Sequence, residues 1–506
     1  MFEKVCGDDP KNIITLTKSL EENISIFKSI FAGDEMLIVR RIQNKYLPAA
    51  KCCVIYFEEM IKGELLNSNV IRPLLSNNLT ENIAAEKLLE EIQYKVIMAN
   101  NVRMVGDINQ ITERMIYGSV VFLLEGYDKV LVIDAKGLQA RSITEPESAR
   151  VVRGPKAGFT ETIDLNISLI RRIIKNPSLK FKFKKIGERT HTRVCICYIE
   201  GLALQSILKE LERRLDQIEI DAVLDSGYIQ ELIRDAPFSP FETVGYSEKP
   251  DIIAGKILEG RIAILVDGSP FVLTVPFIIV ETIQASEDYY NNYIFASINR
   301  LLRATSTILS ISIPSLYLAV EAYHQEMLPT PLLLSVSAGI QGVPFPTILS
   351  LIIVLAIFDL LREASVRMPA PIGQAINIVG TLILGQALVE AKLVSTIVII
   401  ITALSGILSL MNITLAGATI VIRTFLLLCT SFLGIYGFLF GIILVIIHLM
   451  NIRSFGVPYM MDTTTIKEHN FQDTWIRAPW WEMTLRPKII GSKNLTRQLI
   501  KRNRGK

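Results

Sequence analysis

Residues 361–374 read LREASVRMPAPIGQ: the charges Arg362, Glu363 and Arg367, then the prolines Pro369 and Pro371, set between some of the most apolar runs of the chain. In water such a stretch is a surface loop; in a bilayer it must leave the hydrocarbon or be enclosed by groups that satisfy it. The flanking sequence selects the bilayer. From Ala304 to Phe358 the only acidic or basic residues are Glu321 and Glu326, and from Met368 to Ile422 they are Glu390 and Lys392. Hydrophobic residues make up 50% of the 506, and the mean hydropathy of +0.38 reflects an excess concentrated here.

The residues up to about Pro250 are instead charge-rich with short apolar periods, as in a water-facing region. The opening MFEKVCGDDPK has no apolar h-region or small-residue cleavage site, so this region is expected to stay in the cytoplasm. Its pattern predicts a helical subdomain over 1–100, as in ENIAAEKLLEEIQYKVIM at 81–98, where apolar positions recur at three and four. An α/β subdomain over 101–250 follows from the strand candidates VFLLEG (121–126), VLVID (130–134) and RVCICYIEG (193–201) and the helices at 160–176 and 203–218. A membrane-approach segment (251–300), a transmembrane domain (301–450) and a basic cytosolic tail (451–506) complete the order. The expected fold is thus an α+β cytosolic N-terminal region followed by an α-helical multi-pass membrane domain.

Several function classes fall away. A net charge of +3 is too small for nucleic-acid binding. The six cysteines, at 6, 52, 53, 195, 197 and 429, have no zinc-like spacing, and Cys195 and Cys197 read as same-face residues of a buried strand. No metal site, disulfide framework or cofactor is implied. VRGPKAG at 152–158 lacks the strand-loop-helix context of a nucleotide site and reads as a surface turn.

Four runs are long enough to span, given about twenty residues per crossing: Leu301 to Val320, Leu332 to Phe358, Leu393 to Met411 and Ala418 to Met450. Ala375 to Leu388 falls short and reads as re-entrant or as half a helix. Arg300 before the first run and Arg303 at its start, Arg362 and Arg367 after the second, and the basic tail place both termini inside. On this scheme Arg362, Glu363 and Arg367 form a cytoplasmic elbow able to couple a cytosolic push to the membrane segments. Gly342, Pro344 and Pro346 break the second run, and Gly380 and Gly385 lie in the short one; broken segments at membrane depth point to an ion or substrate path.

Ser395, Thr402, Ser405, Ser409 and Asn412 share one helical face of the third run, with Val398 as an apolar neighbour able to shut it. Such a stripe either hydrates a pore or lets helices pack closely. Glu390 and Lys392 are charges at membrane depth, and Arg423 in the last run either snorkels outward or pairs with Glu390. All three tryptophans, at 475, 480 and 481, fall in the tail, where a membrane surface and protein packing explain them equally well.

The ordered motifs SITEP, VVRGPKAGF, PFSPFETVGYSEKPD, GRIAILVDGSPFVLTVP, SEDYY, GVPFPT, LLREASVRMPAPIGQAINIVG, LGQALVEAKLVS and SFGVPYM resemble the A subunit of bacterial spore germinant receptors of the GerA type, from about Leu138 to Met460. The resemblance implies a noncatalytic subunit in the spore inner membrane. It would work with a transporter-like B subunit that binds the nutrient and a lipoprotein C subunit, and would oligomerise into an ion channel that opens to trigger germination. A relative of the sporulation V locus, which releases ions without sensing nutrients, is the alternative; GSPFVLTVP and SEDYY favour the receptor branch. A lone secondary transporter and a membrane scaffold are the other classes in view.

Overall fold

The computed structural model describes residues 15–47, 50–76, 87–99, 101–135, 151–368, 383, 385–461 and 473–483. They form two units. One holds the described residues up to Ile233 together with Val244–Pro276, and the other holds Arg234–Thr243 and the described residues from Phe277 onward.

The first unit contains two antiparallel five-stranded sheets. One has the order β1 (Leu37–Gln43), β2 (Lys51–Phe57), β4 (Ser119–Leu124), β5 (Val130–Asp134), β3 (Val102–Val105). The other has the order β6 (Leu179–Ile186), β7 (Thr192–Ile199), β9 (Ile262–Val266), β10 (Val272–Val275), β8 (Gly245–Ser247). Two expectations are corrected. Residues 1–100 are not a helical subdomain, because β1 and β2 belong to a sheet completed by β3 to β5. Every residue of β2 except Lys51 is buried, so the strand shows no in-out alternation and its period is hidden. The membrane-approach segment does not begin at 251 either, since β9 and β10 finish the second sheet. Strands β4, β5 and β7 lie where their sequences place them.

Helices α1 (Leu20–Ile30), α2 (Ile108–Ile116), α3 (Ile163–Ile173) and α5 (Pro250–Leu258) bury apolar faces in a core shared by both sheets, while α4 (Gln205–Asp216) matches the predicted second helix. Asp164 at the start of α3 and Arg171 and Arg172 at its end complement the helix dipole. Arg171 is fully buried and paired with Asp34. Its guanidinium lies 4.3 Å from the Phe57 ring centroid of the first sheet and 4.8 Å from that of Phe181 in the second. Cys195 and Cys197 face the same core, and burial pushes both thiols up; it pushes Cys52 and Cys53 up to about 12. All four are held as protonated, unreactive thiols at neutral pH.

The second unit is a bundle of apolar helices: α6 (Tyr293–Tyr323), α7 (Thr330–Ile340), α8 (Thr347–Arg367), α9 (Thr396–Ser409) and α10 (Ala416–Asn451). Among the described residues, Tyr293–Tyr323 and Ile413–Asn451 are the two helical stretches long and apolar enough to cross a membrane. The latter is not one rod. Gly434 has φ +59° and ψ −135°, outside the helical region. A Cβ on Gly437 would sit 2.1 Å from the Cys429 carbonyl oxygen, and one on Gly441 would sit 2.6 Å from Leu426 Cδ2. A straight helix would hold those pairs about 12 and 22 Å apart. The chain therefore doubles back at Gly434 into arms 416–433 and 435–451. Ala418, Ile422 and Leu426 of the first arm share a core with Phe438 and Leu449 of the second. The predicted single run from Ala418 to Met450 is thus a hairpin.

Contacts give the direction of each helix. Ser310 meets Ser405 and Thr307 meets Asn412, so α6 and α9 run antiparallel. The end of α6 at Tyr323 packs on Gly434 at the hairpin tip. Leu351 and Val354 share a core with Val398, and Phe358 packs on Gly406, so α8 and α9 run parallel. The connection from α8 to α9 thus joins opposite ends of the bundle, where the sequence predicted a re-entrant run. Residues 369–382, with Pro369, Pro371 and Gly380, lie outside the described residues.

In a Cys429→Ser background, Leu426→Cys and Gly441→Cys together should cross-link efficiently with a short thiol reagent, read by mass spectrometry of the linked peptide. Absence of the link in protein labelled at both sites would restore the straight helix.

Candidate functional site

Several helices of the bundle are broken or interrupted, and at one break the freed carbonyl is satisfied from a neighbouring helix. The predicted break is present: α7 ends at Ile340, Gly342 takes φ +90°, and α8 starts after Pro346 with Pro344 between. Gly385 lies in a helical stretch at 385–390, where a Cβ would reach Ile399 at 4.0 Å.

A second break escaped the sequence reading. Pro314 lies inside α6 and has no N–H to give to the carbonyl four residues back, that of Ser310. The Ser405 hydroxyl of α9 donates to this carbonyl at 2.7 Å, and the Ser310 hydroxyl donates back to the Ser405 carbonyl at 3.0 Å. The rest of the α9 stripe follows the same seam. Ser395 caps the helix by accepting from the Val398 N–H, Thr402 donates to the Val398 carbonyl, Ser409 donates to that of Gly406, and Asn412 donates to the Thr307 hydroxyl. Ser395, Thr402, Ser405, Ser409 and Asn412 are all buried, and Val398 packs between Leu318, Leu351 and Leu427. Within one chain, the stripe is a packing surface against α6.

Arg423 neither snorkels nor pairs with Glu390. It is buried in the first arm of α10 and donates to Asp359 of α8 at 2.6 Å and to the Ser405 hydroxyl at 3.4 Å. Asp359 was missed because it directly follows the apolar run that ends at Phe358 and reads as the start of the charged stretch. Its side chain is 21% exposed and opens on a groove of about 400 Å³ between α8 and the first arm of α10, lined also by Ala356, Arg362, Glu363 and Thr424. Glu390 and Lys392 are exposed, and Lys392 lies beside Gly342.

The elbow is corrected in form. Arg362, Glu363 and Arg367 occupy the last turns of α8, and Arg367 bridges Glu363 at 2.7 Å one turn away. Such an i,i+4 pair supports the helix it sits on, so the three charges extend α8 instead of ending it.

Ser405→Ala should destabilise the detergent-solubilised protein by about 1 kcal/mol, the usual worth of an interhelical hydrogen bond in a bundle. Pro314→Ala should recover much of that loss in the double variant, because an alanine at this position returns an N–H to the Ser310 carbonyl. Additive losses in thermal melts would show that the exchange does not compensate the proline.

Residues 25–489 match the family model described as Bacillus/Clostridium GerA spore germination protein. The chain is 36% identical over 487 residues to spore germination protein KA of Bacillus subtilis (strain 168), covering 96% of this chain and 89% of that one. It is 35% identical over 444 residues to spore germination protein A1 of the same organism, covering 87% and 89%. Among solved structures, the N-terminal domain of the A subunit of the Bacillus megaterium spore germinant receptor GerK3 aligns at 30% identity and a TM-score of 0.43, covering 53% of this chain and 99% of that one. The apolar, break-containing bundle and this full-length likeness agree: the chain belongs to the GerA family of spore germination proteins.

Proposed function

We propose that the chain is the A subunit of a nutrient germinant receptor in the spore inner membrane. Several copies assemble into a gated ion channel, in company with a transporter-like B subunit and a lipoprotein C subunit. The basic residues that flank the apolar runs keep both chain ends on the cytoplasmic side in this reading. The observation that carries the channel reading is Asp359. Its carboxylate is held by Arg423 among apolar side chains, yet faces a groove that a single chain leaves open. A polar group so placed faces either protein or water, and copies arranged around an axis would line a water path with α8. Arg362 and Glu363 lie at the mouth of this path, which makes the end of α8 the coupling element.

The α9 stripe supports this reading in another way: Ser405 and Asn412 bond to α6, while Ser395, Thr402 and Ser409 bond to the backbone of α9 itself, so its polar groups already have partners within the chain. A secondary transporter is less favoured, because the carbonyl freed by Pro314 is satisfied within the chain by Ser405.

Ala356→Cys places a thiol on the groove beside Asp359. Its modification by a cationic thiol reagent in assembled receptors should slow cation release about tenfold, equivalent to a barrier of about 1.4 kcal/mol. Ser405→Cys, inside the seam, should stay unmodified. Complete labelling at 356 with unchanged release would move the path elsewhere. If Thr402→Leu then blocked release in assembled protein, the path would be the α9 stripe.

A further inference from the structure

Helix α6 has 31 residues, about 46 Å of helix. A bilayer measures about 30 Å across its hydrocarbon and about 40–45 Å with both headgroup layers. Tyr323, the last residue of α6, meets Gly434 at the tip of the α10 hairpin, so the first turns of α6 reach the opposite headgroup layer. Their surface suits that layer. Ile294, Phe295, Ile298, Leu301 and Leu302 are exposed and continue, at helical spacing, the exposed stripe of Ile308 and Leu309 above them.

The segment 473–483 is strapped across this end. Arg300 is fully buried; its Nη1 donates to the Asp473 carboxylate at 2.9 Å and to the Asp473 and Thr474 carbonyls at 2.8 and 3.2 Å, and its Nε donates to Asp288 at 3.2 Å. Arg303 donates to the same Asp288 carboxylate, and the Tyr289 hydroxyl donates to Asp473 at 2.9 Å. Two guanidinium groups thus meet two carboxylates, so the charges of this cluster balance. Beyond this pin the segment carries exposed side chains of another kind. Ile476 is 65% exposed, and Trp480 and Trp481 are 41% and 42% exposed. The Trp480 indole donates to the Tyr289 carbonyl at 3.3 Å, and the Trp481 ring centroid lies 5.8 Å from that of Tyr293.

We propose that segment 473–483 is an interfacial membrane anchor, with Ile476, Trp480 and Trp481 seated beside the first turns of α6 in the headgroup-acyl boundary of the bilayer. Tryptophan suits this boundary because its large ring buries apolar area while its N–H keeps a polar partner. The occupant is phospholipid because the exposed face of α6 passes without a break from the hydrocarbon stripe to this patch. Arg300 is the pin: it fixes the strap to the base of the first membrane helix, so that a pull on the tail would be felt by α6. The inference rests on the membrane reading above.

The chain carries its own probe, since its three tryptophans are Trp475, Trp480 and Trp481. The full chain is reconstituted into phospholipid nanodiscs whose acyl chains carry bromine either near the glycerol or near the chain terminus, and tryptophan emission is read. Bromine near the glycerol should quench more strongly, and Arg300→Met should lose at least half of that quenching while still entering the discs. Protein that enters the discs but is quenched by neither lipid overturns the anchor and leaves the patch to a protein partner. Stronger quenching by the deep bromine overturns the interfacial placement. Unchanged quenching in Arg300→Met overturns the pin. Protein that does not enter the discs at all would overturn the membrane reading, a result distinguishable from the others by the composition of the discs.

Discussion

A proline inside a packed apolar helix removes an N–H and leaves a buried carbonyl without its donor. Pro314 does this to Ser310, and the rest of the bundle is arranged around the repair. Because the Ser405 hydroxyl must reach the Ser310 carbonyl, α9 is fixed against α6 in one register and one direction. Because α9 is so placed, Gly406 is available for Phe358 to pack upon, which sets α8 parallel to α9. Arg423 then reaches both Ser405 and Asp359, joining the first arm of α10 to the same layer. One missing donor thus specifies neighbours for three helices, because a buried polar group without a partner is costly.

Buried arginines perform a similar service at three places. Arg171 with Asp34 lies where the two sheets share a core, Arg423 with Asp359 joins α8 to α10, and Arg300 with Asp288 and Asp473 joins α6 to the tail segment. Each pair links elements distant in sequence. Losing one partner of such a pair is typically costly, about 3–5 kcal/mol, whereas replacing the whole pair by apolar groups is often neutral. Their value therefore lies in specifying which elements meet. A guanidinium suits the task because its planar fork donates in several directions at once, as Arg300 does to two carboxylates and two carbonyls.

Much of this was legible in the sequence, and the rest was hidden for identifiable reasons. The switch from a charge-rich to an apolar composition, the break at Gly342, Pro344 and Pro346, and the strands at 119–124, 130–134 and 192–199 are local patterns, and local patterns can be read from one sequence. Strand β2 was not legible because burial on both faces removes alternation. The α10 hairpin was not, because a reversal made by a single glycine leaves the apolar run unbroken. Only the tight approach of Gly437 to Cys429 and of Gly441 to Leu426 reveals it, and the small-residue spacing of Gly437 and Gly441 was the available signal. Pairings such as Arg423 with Asp359 are 64 residues apart in the chain, and nothing in one sequence selects that partner over Glu390.

The stripe on α9 shows how one pattern serves two physical ends. Hydroxyls at helical spacing are what a hydrated path requires and also what a seam requires, because small polar residues permit close approach and satisfy freed carbonyls. The deciding fact is the proline on the opposing helix: a hydroxyl facing an unsatisfied carbonyl gains more from that bond than from water in a narrow pore. With those groups partnered, Asp359 and Thr424 are polar side chains that line the groove between α8 and the first arm of α10, joined by Arg362 and Glu363 toward the end of α8. Arg423 sets a positive charge against the Asp359 carboxylate, as Arg367 does against Glu363 toward the end of α8.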